Sequence, residues 1–182
     1  MKGHGKEWGG GSVSPEEAVE ERIARVQAAM EGYFGVDRRR IGHALRVTAH
    51  ARQLLDGEPG DRELVLATAL LHDIGIREAE RKHGSSAGNL QEIEGPPVAR
   101  EILERLGYAE PFIAEACAII ASHHSPGEVD TANFRVIWDA DWLVNLGDEH
   151  GTDDRGKLAG LIEKIFMTPT GRRLAARVYL TP

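Results

Sequence analysis

Apolar residues recur along most of the chain at intervals of three and four, the period of a helix with one buried face. In "SVSPEEAVEERIARVQAAM", Ile23, Val26 and Met30 share such a face. Ser14 stands where an N-cap belongs, Pro15 at the first helical position, and Glu16 and Glu17 in the first turn. Gly32 and Gly35 end that helix. Asp37 caps the next, "RRRIGHALRVTAHARQLL", which runs to Gly57 with Ile41, Leu45, Thr48 and Ala51 in helical register. After a turn at "EPG", Asp61 caps a helix ending at Gly75 that is apolar on every side, the signature of an element at the centre of a bundle. Residues 77 to 95 are polar and carry Gly and Ser, which predicts a loop, with Pro96 and Pro97 opening the helix "VAREILERLG". "EPFIAEACAIIASHH" and "TANFRVIWDADWLVNLGDE" read as further helices, the second with Phe134, Ile137, Trp138, Trp142 and Leu143 apolar. The last stretch, "RGKLAGLIEKIFMTPTGRRLAARVYL", splits at Pro169 into two short amphipathic pieces. No strand-like alternation and no repeated unit stands out. The pattern predicts an all-α fold, a compact single-domain helical bundle over residues 14–182, preceded by a flexible Gly-rich segment at 1–13.

Composition narrows the partners. With 182 residues, 41% hydrophobic and 28% charged, the chain suits one soluble domain. A net charge of -7 argues against a nucleic-acid polymer as partner, yet allows a small phosphorylated ligand if a metal ion supplies local positive charge. The single cysteine, Cys117, excludes an intrachain disulfide and reads as a small core residue, so a cytoplasmic setting is expected. No apolar run approaches the ~20 residues of a membrane helix, and "MKGHGKEWGGGSVSPEE" lacks the apolar stretch of a secretory signal. His4 reads as incidental. Oligomeric state, a homodimer included, stays open.

The polar residues inside these apolar helices call for explanation. His43, His50, His72, Asp73, His123, His124, Asp139 and Asp141 all fall within or at the ends of them. Taken singly, none is informative, and a His-Asp dipeptide alone is weak evidence. Together they carry more. Asp73 closes a wholly apolar helix, where an unpaired carboxylate is expensive. Either an ion pair with Arg77, Arg81 or Lys82 or a bound metal would remove that cost. Imidazole and carboxylate groups converging from separate helices are the usual metal site of a bundle core. Two His nitrogens and two Asp oxygens leave positions open for water and substrate, and suit Mn, Fe, Zn or Mg without choosing among them. Asp139 and Asp141, two residues apart on a helix, point about 200° from each other, so only one should face such a site.

In order, "GHALRV", "LLHDIG" and "DADWL" resemble the HD superfamily of metal-dependent phosphohydrolases, over roughly Asp37 to Leu146. The resemblance implies His43, His72, Asp73 and Asp141 as metal ligands. It also implies a further role for "ASHHSP": two-metal members carry a His-His pair in this interval, here His123 and His124, so one or two divalent ions are expected. No Gly-Tyr-Pro follows the pair, and a cyclic-di-GMP activity is unsupported. Two-metal members also carry a His before the stretch "PPVAREIL"; this chain has "QEIEGPP", leaving Glu92, Glu94 or His83 as substitutes. His50 reads as an outer residue. The implied reaction is hydrolysis of a phosphate ester, of a nucleotide or another small phosphorylated metabolite, by metal-activated water. Asp73 serves as ligand and orients the water, and Arg46, Arg77 and Lys82 are candidates to hold phosphate oxygens. Asn145 bonds either a substrate hydroxyl or its own helix. Two other classes stay open: a di-iron HD-type oxygenase, for which His123 and His124 speak, and a non-catalytic metal- or nucleotide-binding sensor.

Overall fold

Three side chains open three helices as local chemistry dictates. Ser14 accepts from the Glu17 N–H at 3.2 Å while Glu17 accepts from the Ser14 N–H at 2.8 Å, a reciprocal cap. Asp37 accepts from Arg40 N and Asp61 from Leu64 N. In the computed structural model, which describes residues 14–125, 127, 129–149 and 154–181, these caps start α1 (Pro15–Phe34), α2 (Arg38–Leu55) and α3 (Arg62–Leu71). There follow α4 (Ile76–His83), α5 (Gly88–Arg105), α6 (Glu110–Ile120), α7 (Ala132–Glu149), α8 (Arg155–Ile165) and α9 (Pro169–Tyr179). The described residues contain no strand, and none of their helices is long and apolar enough to cross a membrane. The segment 1–13 expected to be flexible, His4 within it, and Pro126 lie outside the described residues.

The all-round apolar character of α3 has the predicted consequence. Every residue from Leu64 to Leu71 is buried, and α3 packs against α1, α2, α6 and α7. Helix α2 lies along α7, and α5 packs on α4 and α6. Cys117 is a buried core residue whose thiol donates to the Pro96 carbonyl at 3.4 Å.

One prediction fails. Residues 77 to 95 are not a loop: they form α4 and the first two turns of α5, joined by a short link at 84–87. Pro96 and Pro97 therefore lie inside α5 rather than at its start. Glycine explains both errors. At Gly75 no side chain separates the turn after α3 from α5. A Cβ on Gly75 would stand 2.5 Å from Gly95 N and 2.6 Å from the Gln91 carbonyl oxygen. The two backbones touch, which demands glycine, and a helix whose buried face is partly glycine shows no apolar period.

Candidate metal centre

His72 follows the last residue of α3 and is still helical in backbone, with φ -56° and ψ -40°. Its ring is fully buried, and Nδ1 donates to the Ala69 carbonyl at 2.8 Å. A carbonyl only accepts, so Nδ1 holds a proton and Nε2 is turned inward. His43 comes from α2 and Asp141 from α7, the helices that flank α3, while Asp73 begins the turn that leads to α4. His43 Nε2 lies 3.2 Å from His72 Nε2, 3.1 Å from Asp141 Oδ1 and 3.5 Å from Asp73 Oδ2. His72 Nε2 lies 3.6 Å from Asp73 Oδ2 and 3.5 Å from Asp141 Oδ1. Two imidazole nitrogens and two carboxylate oxygens thus crowd one point, from three helices and a turn.

A second set adjoins it. Helix α6 ends at Ile120, and the turn after it carries His123 and His124 with ring centroids 3.9 Å apart. His123 repeats the arrangement of His72: Nδ1 donates to the Ile120 carbonyl at 2.7 Å. Its Nε2 is buried, has no hydrogen-bond partner among the described residues, and faces Asp73 Oδ1 at 3.4 Å. The two oxygens of Asp73 are therefore shared out, Oδ2 to His43 and His72 and Oδ1 to His123. His43, His72 and Asp73 form one grouping able to hold a metal, and Asp73, His123 and His124 another. An orphaned buried ring nitrogen beside a carboxylate is the condition a cation would relieve.

Electrostatics agree with that reading. Burial alone would lower the His72 pKa, but the carboxylates of Asp73 and Asp141 outweigh it and raise the pKa to about 9. Asp73 and Asp141 are pushed up by burial yet held far below the ordinary carboxylate range, Asp73 chiefly by His72 and Asp141 by His43 and His72. Burial, with His123 adding to it, pushes His124 down to about 4, so its ring is neutral near pH 7 with a lone pair free to ligate.

Other candidates are engaged elsewhere. Asp139 is fully buried and turned away from the cluster. It accepts from Met167 N at 2.7 Å, Thr168 N at 2.9 Å and the Thr168 hydroxyl at 2.6 Å. Glu92 accepts from His124 N at 3.0 Å and the Ser125 hydroxyl at 3.1 Å, holding the His-His turn. Glu94 bridges Lys82 at 2.5 Å and His83 at 2.9 Å. Glu92, Glu94 and His83 are thus committed, and none joins either grouping. Arg77, on α4 rather than in a loop, donates to the Tyr33 carbonyl and lies over the Tyr33 ring. Arg81 pairs with Glu78, and no ion pair between these cations and Asp73 forms among the described residues. His50 enters neither grouping. Asn145 donates to Asp141 Oδ1 at 2.9 Å and so serves the cluster.

A cavity of about 330 Å³ opens onto His43, Asp73 and His124, and Arg39, Arg40, Arg46, Ser86, Gln91 and Asn145 also line it. Arg39, Arg40, Ser86 and Gln91 are additions that the sequence pattern did not single out. The run "RRR" before His43 was a usable signal for the first, since residues three and four apart on a helix share a face.

The HD domain family model matches residues 40–146, a span that includes all six clustered side chains. The chain belongs to the HD domain family. HD domains are metal-dependent hydrolases that bind divalent metals, and the two groupings are where this HD domain could hold them. A predicted HD superfamily hydrolase from an uncultured Thermotogales bacterium, known from a crystal structure, is similar to it. The two share 27% identity with a TM-score of 0.60, over 88% of this chain and 84% of that one. No curated protein matches the chain.

The raised His72 pKa predicts how this HD domain takes up a cation. Without metal, His72 keeps its second proton below about 9. A ligating imidazole must be neutral. Binding near pH 7 is therefore expected to expel about one proton, with affinity rising up to tenfold per pH unit toward pH 9. Titration calorimetry of Mn²⁺ into chelator-stripped protein, in buffers of different ionisation enthalpy, measures that proton. The sign for stability follows. A histidine raised from 6.5 to about 9 stabilises the metal-free fold fully below pH 6.5, and that contribution is lost as pH rises through 9.

Proposed function

We propose that the chain hydrolyses phosphate esters of small molecules, a nucleotide or a similar phosphorylated metabolite, through water activated at the His–Asp centre. The carrying observation is the arginine rim of the cavity that opens onto His43 and Asp73. In a chain of net charge -7, Arg39, Arg40 and Arg46 gather there. Arg40 is held by Asp37 at 3.1 Å and Glu80 at 2.5 Å. Arg39 and Arg46 pair with no carboxylate among the described residues. Unpaired guanidinium groups beside a cluster of acids suit an anion with several oxygens.

His43, His72, Asp73 and Asp141 hold one divalent cation in this reading, and Asp73, His123 and His124 hold a second. When bound, such a cation supplies a Lewis acid for the phosphoryl group and makes water acidic enough to attack near neutral pH. The protein's own residues do the rest. Asp73, with one oxygen toward each grouping, orients the attacking water. Asn145 fixes the Asp141 carboxylate. Arg39 and Arg46 hold the phosphate oxygens and offset their charge. A smaller cavity of about 200 Å³, lined by Trp138, Trp142, His124 and Asn145, adjoins the same centre and offers aromatic surface to a planar group such as a base.

The test is metal analysis of protein purified without chelators, then a screen of p-nitrophenyl phosphate and nucleoside mono-, di- and triphosphates with that metal. Phosphate release is expected. Arg46→Ala and Arg39→Ala should each raise KM roughly tenfold or more at unchanged metal content, in line with the ~1.5–3 kcal/mol of a charged hydrogen bond. Metal-loaded protein that cleaves none of these esters contradicts the proposal, and iron content with oxygen consumption would favour an oxygenase instead.

A further inference from the structure

One face of α5 looks onto the centre. Gly88, Gln91 and Gly95 fall on it at i, i+3 and i+7. Gly88 lies under His124: a Cβ there would stand 2.9 Å from ring carbons Cδ2 and Cγ. Gly95 meets the backbone of Gly75, two residues beyond Asp73. Between these two close approaches Glu92 is taken up by His124 N and the Ser125 hydroxyl, which leaves Gln91. It is 7% exposed and lines the cavity with Asp73 and His124. Its orientation is settled, because Nε2 donates to the Ser86 carbonyl at 2.7 Å. That leaves Oε1 buried with no hydrogen-bond partner among the described residues, the same condition as His123 Nε2. Leaving a buried amide oxygen unmatched costs about 1–3 kcal/mol, and two orphaned atoms of ligating type at one centre point to a shared occupant.

We infer that the amide oxygen of Gln91 completes the second cation position beside Asp73, His123 and His124. The inference rests on the reading of the centre as a metal site. It also names the metal class. An amide oxygen is a hard, neutral ligand, and beside two imidazoles and one carboxylate it makes a mixed nitrogen and oxygen set that suits Mn²⁺ or Fe²⁺ better than Mg²⁺.

The test counts bound Mn²⁺ per chain by elemental analysis and titration calorimetry on the full chain. Wild type is expected to hold two ions. Gln91→Ala and the length-matched Gln91→Met should hold one, or bind the second at least about tenfold more weakly. Gln91→Glu keeps an oxygen but loses the donor to Ser86. It should bind the second ion at least as tightly as wild type, whereas a purely structural glutamine predicts lower thermal stability and no gain in metal. Helical circular dichroism is read on each variant, and Gln91→Glu decides if the neutral variants do not fold. Two equally tight ions in Gln91→Ala or Gln91→Met overturn the inference, as does a single ion in wild type; both leave the hydrolase reading intact. Wild type that binds no ion at all overturns the metal reading itself.

Discussion

Asp73→Ala is expected to remove the bound metal and to lower phosphate-ester hydrolysis by roughly 10³-fold or more, about 4 kcal/mol of transition-state stabilisation. The reason is its position. Asp73 is the one residue common to both groupings of ligating atoms, with Oδ2 3.5 Å from His43 and Oδ1 3.4 Å from His123. Its loss takes an anionic oxygen from each side at once, where loss of His124 takes one neutral nitrogen from one side. The fold should survive, because Asp73 lies in the turn between α3 and α4, not among the apolar contacts of the core. His72 should lose part of the support for its raised pKa in the same variant, since Asp73 is the larger of the two charges that raise it. Elemental analysis and a phosphate-release assay on one preparation, with circular dichroism as the control, check the expectation. Stoichiometric metal retained in Asp73→Ala would falsify the assignment.

Asp139→Ala should do the reverse, lowering stability by about 3 kcal/mol or more while leaving metal content alone. Two residues from Asp141, this carboxylate serves the chain instead of the centre. It takes three donors from Met167 and Thr168 between α8 and α9, and the Thr168 hydroxyl in turn accepts from Gly171 N at 2.9 Å to cap α9. Truncation leaves those donors buried without partners and loosens the packing of α9 on α7. Asp139→Asn should recover little, because an amide offers one acceptor oxygen where the carboxylate offers two. Asp141→Ala provides the contrast: metal lost, with a smaller stability change. Urea unfolding of all three variants in chelator measures the difference without a contribution from bound metal.

How much of this was legible in the sequence depends on where each signal originates. Ser14, Asp37 and Asp61 were readable as caps because a cap is decided within four residues. His43, His72, Asp73 and Asp141 were four of eight polar residues within or at the ends of apolar helices, and it was the resemblance to the HD superfamily that picked them out. Helical geometry required Asp139 and Asp141 to diverge. Which of them turned inward was decided by Met167 and Thr168, nearly thirty residues away, and no local pattern records that. Arg77 and Lys82 looked suited to a phosphate, but Tyr33 and Glu94, from other helices, claim them. Gln91 stayed hidden for a different reason. Flanked by Gly88 and Gly95 in a stretch of polar residues, it reads as loop, because a face built from missing side chains leaves no period to detect.

The contact between Gly75 and Gly95 also sets what the centre can become. Main chain rests directly on main chain there, two residues beyond Asp73 and one turn beyond Gln91. The gap between those two side chains is accordingly held by peptide geometry, with no rotamer between them to adjust it. Evolution or an engineer seeking room for a bulkier ester cannot gain it by prising α5 away. That room has to come from the arginines of α2 that also border the cavity, where shortening Arg39 or Arg46 gains space only by giving up hold on the phosphate. In such a scaffold, substrate range can drift along one rim while the spacing of the ligating atoms stays constant.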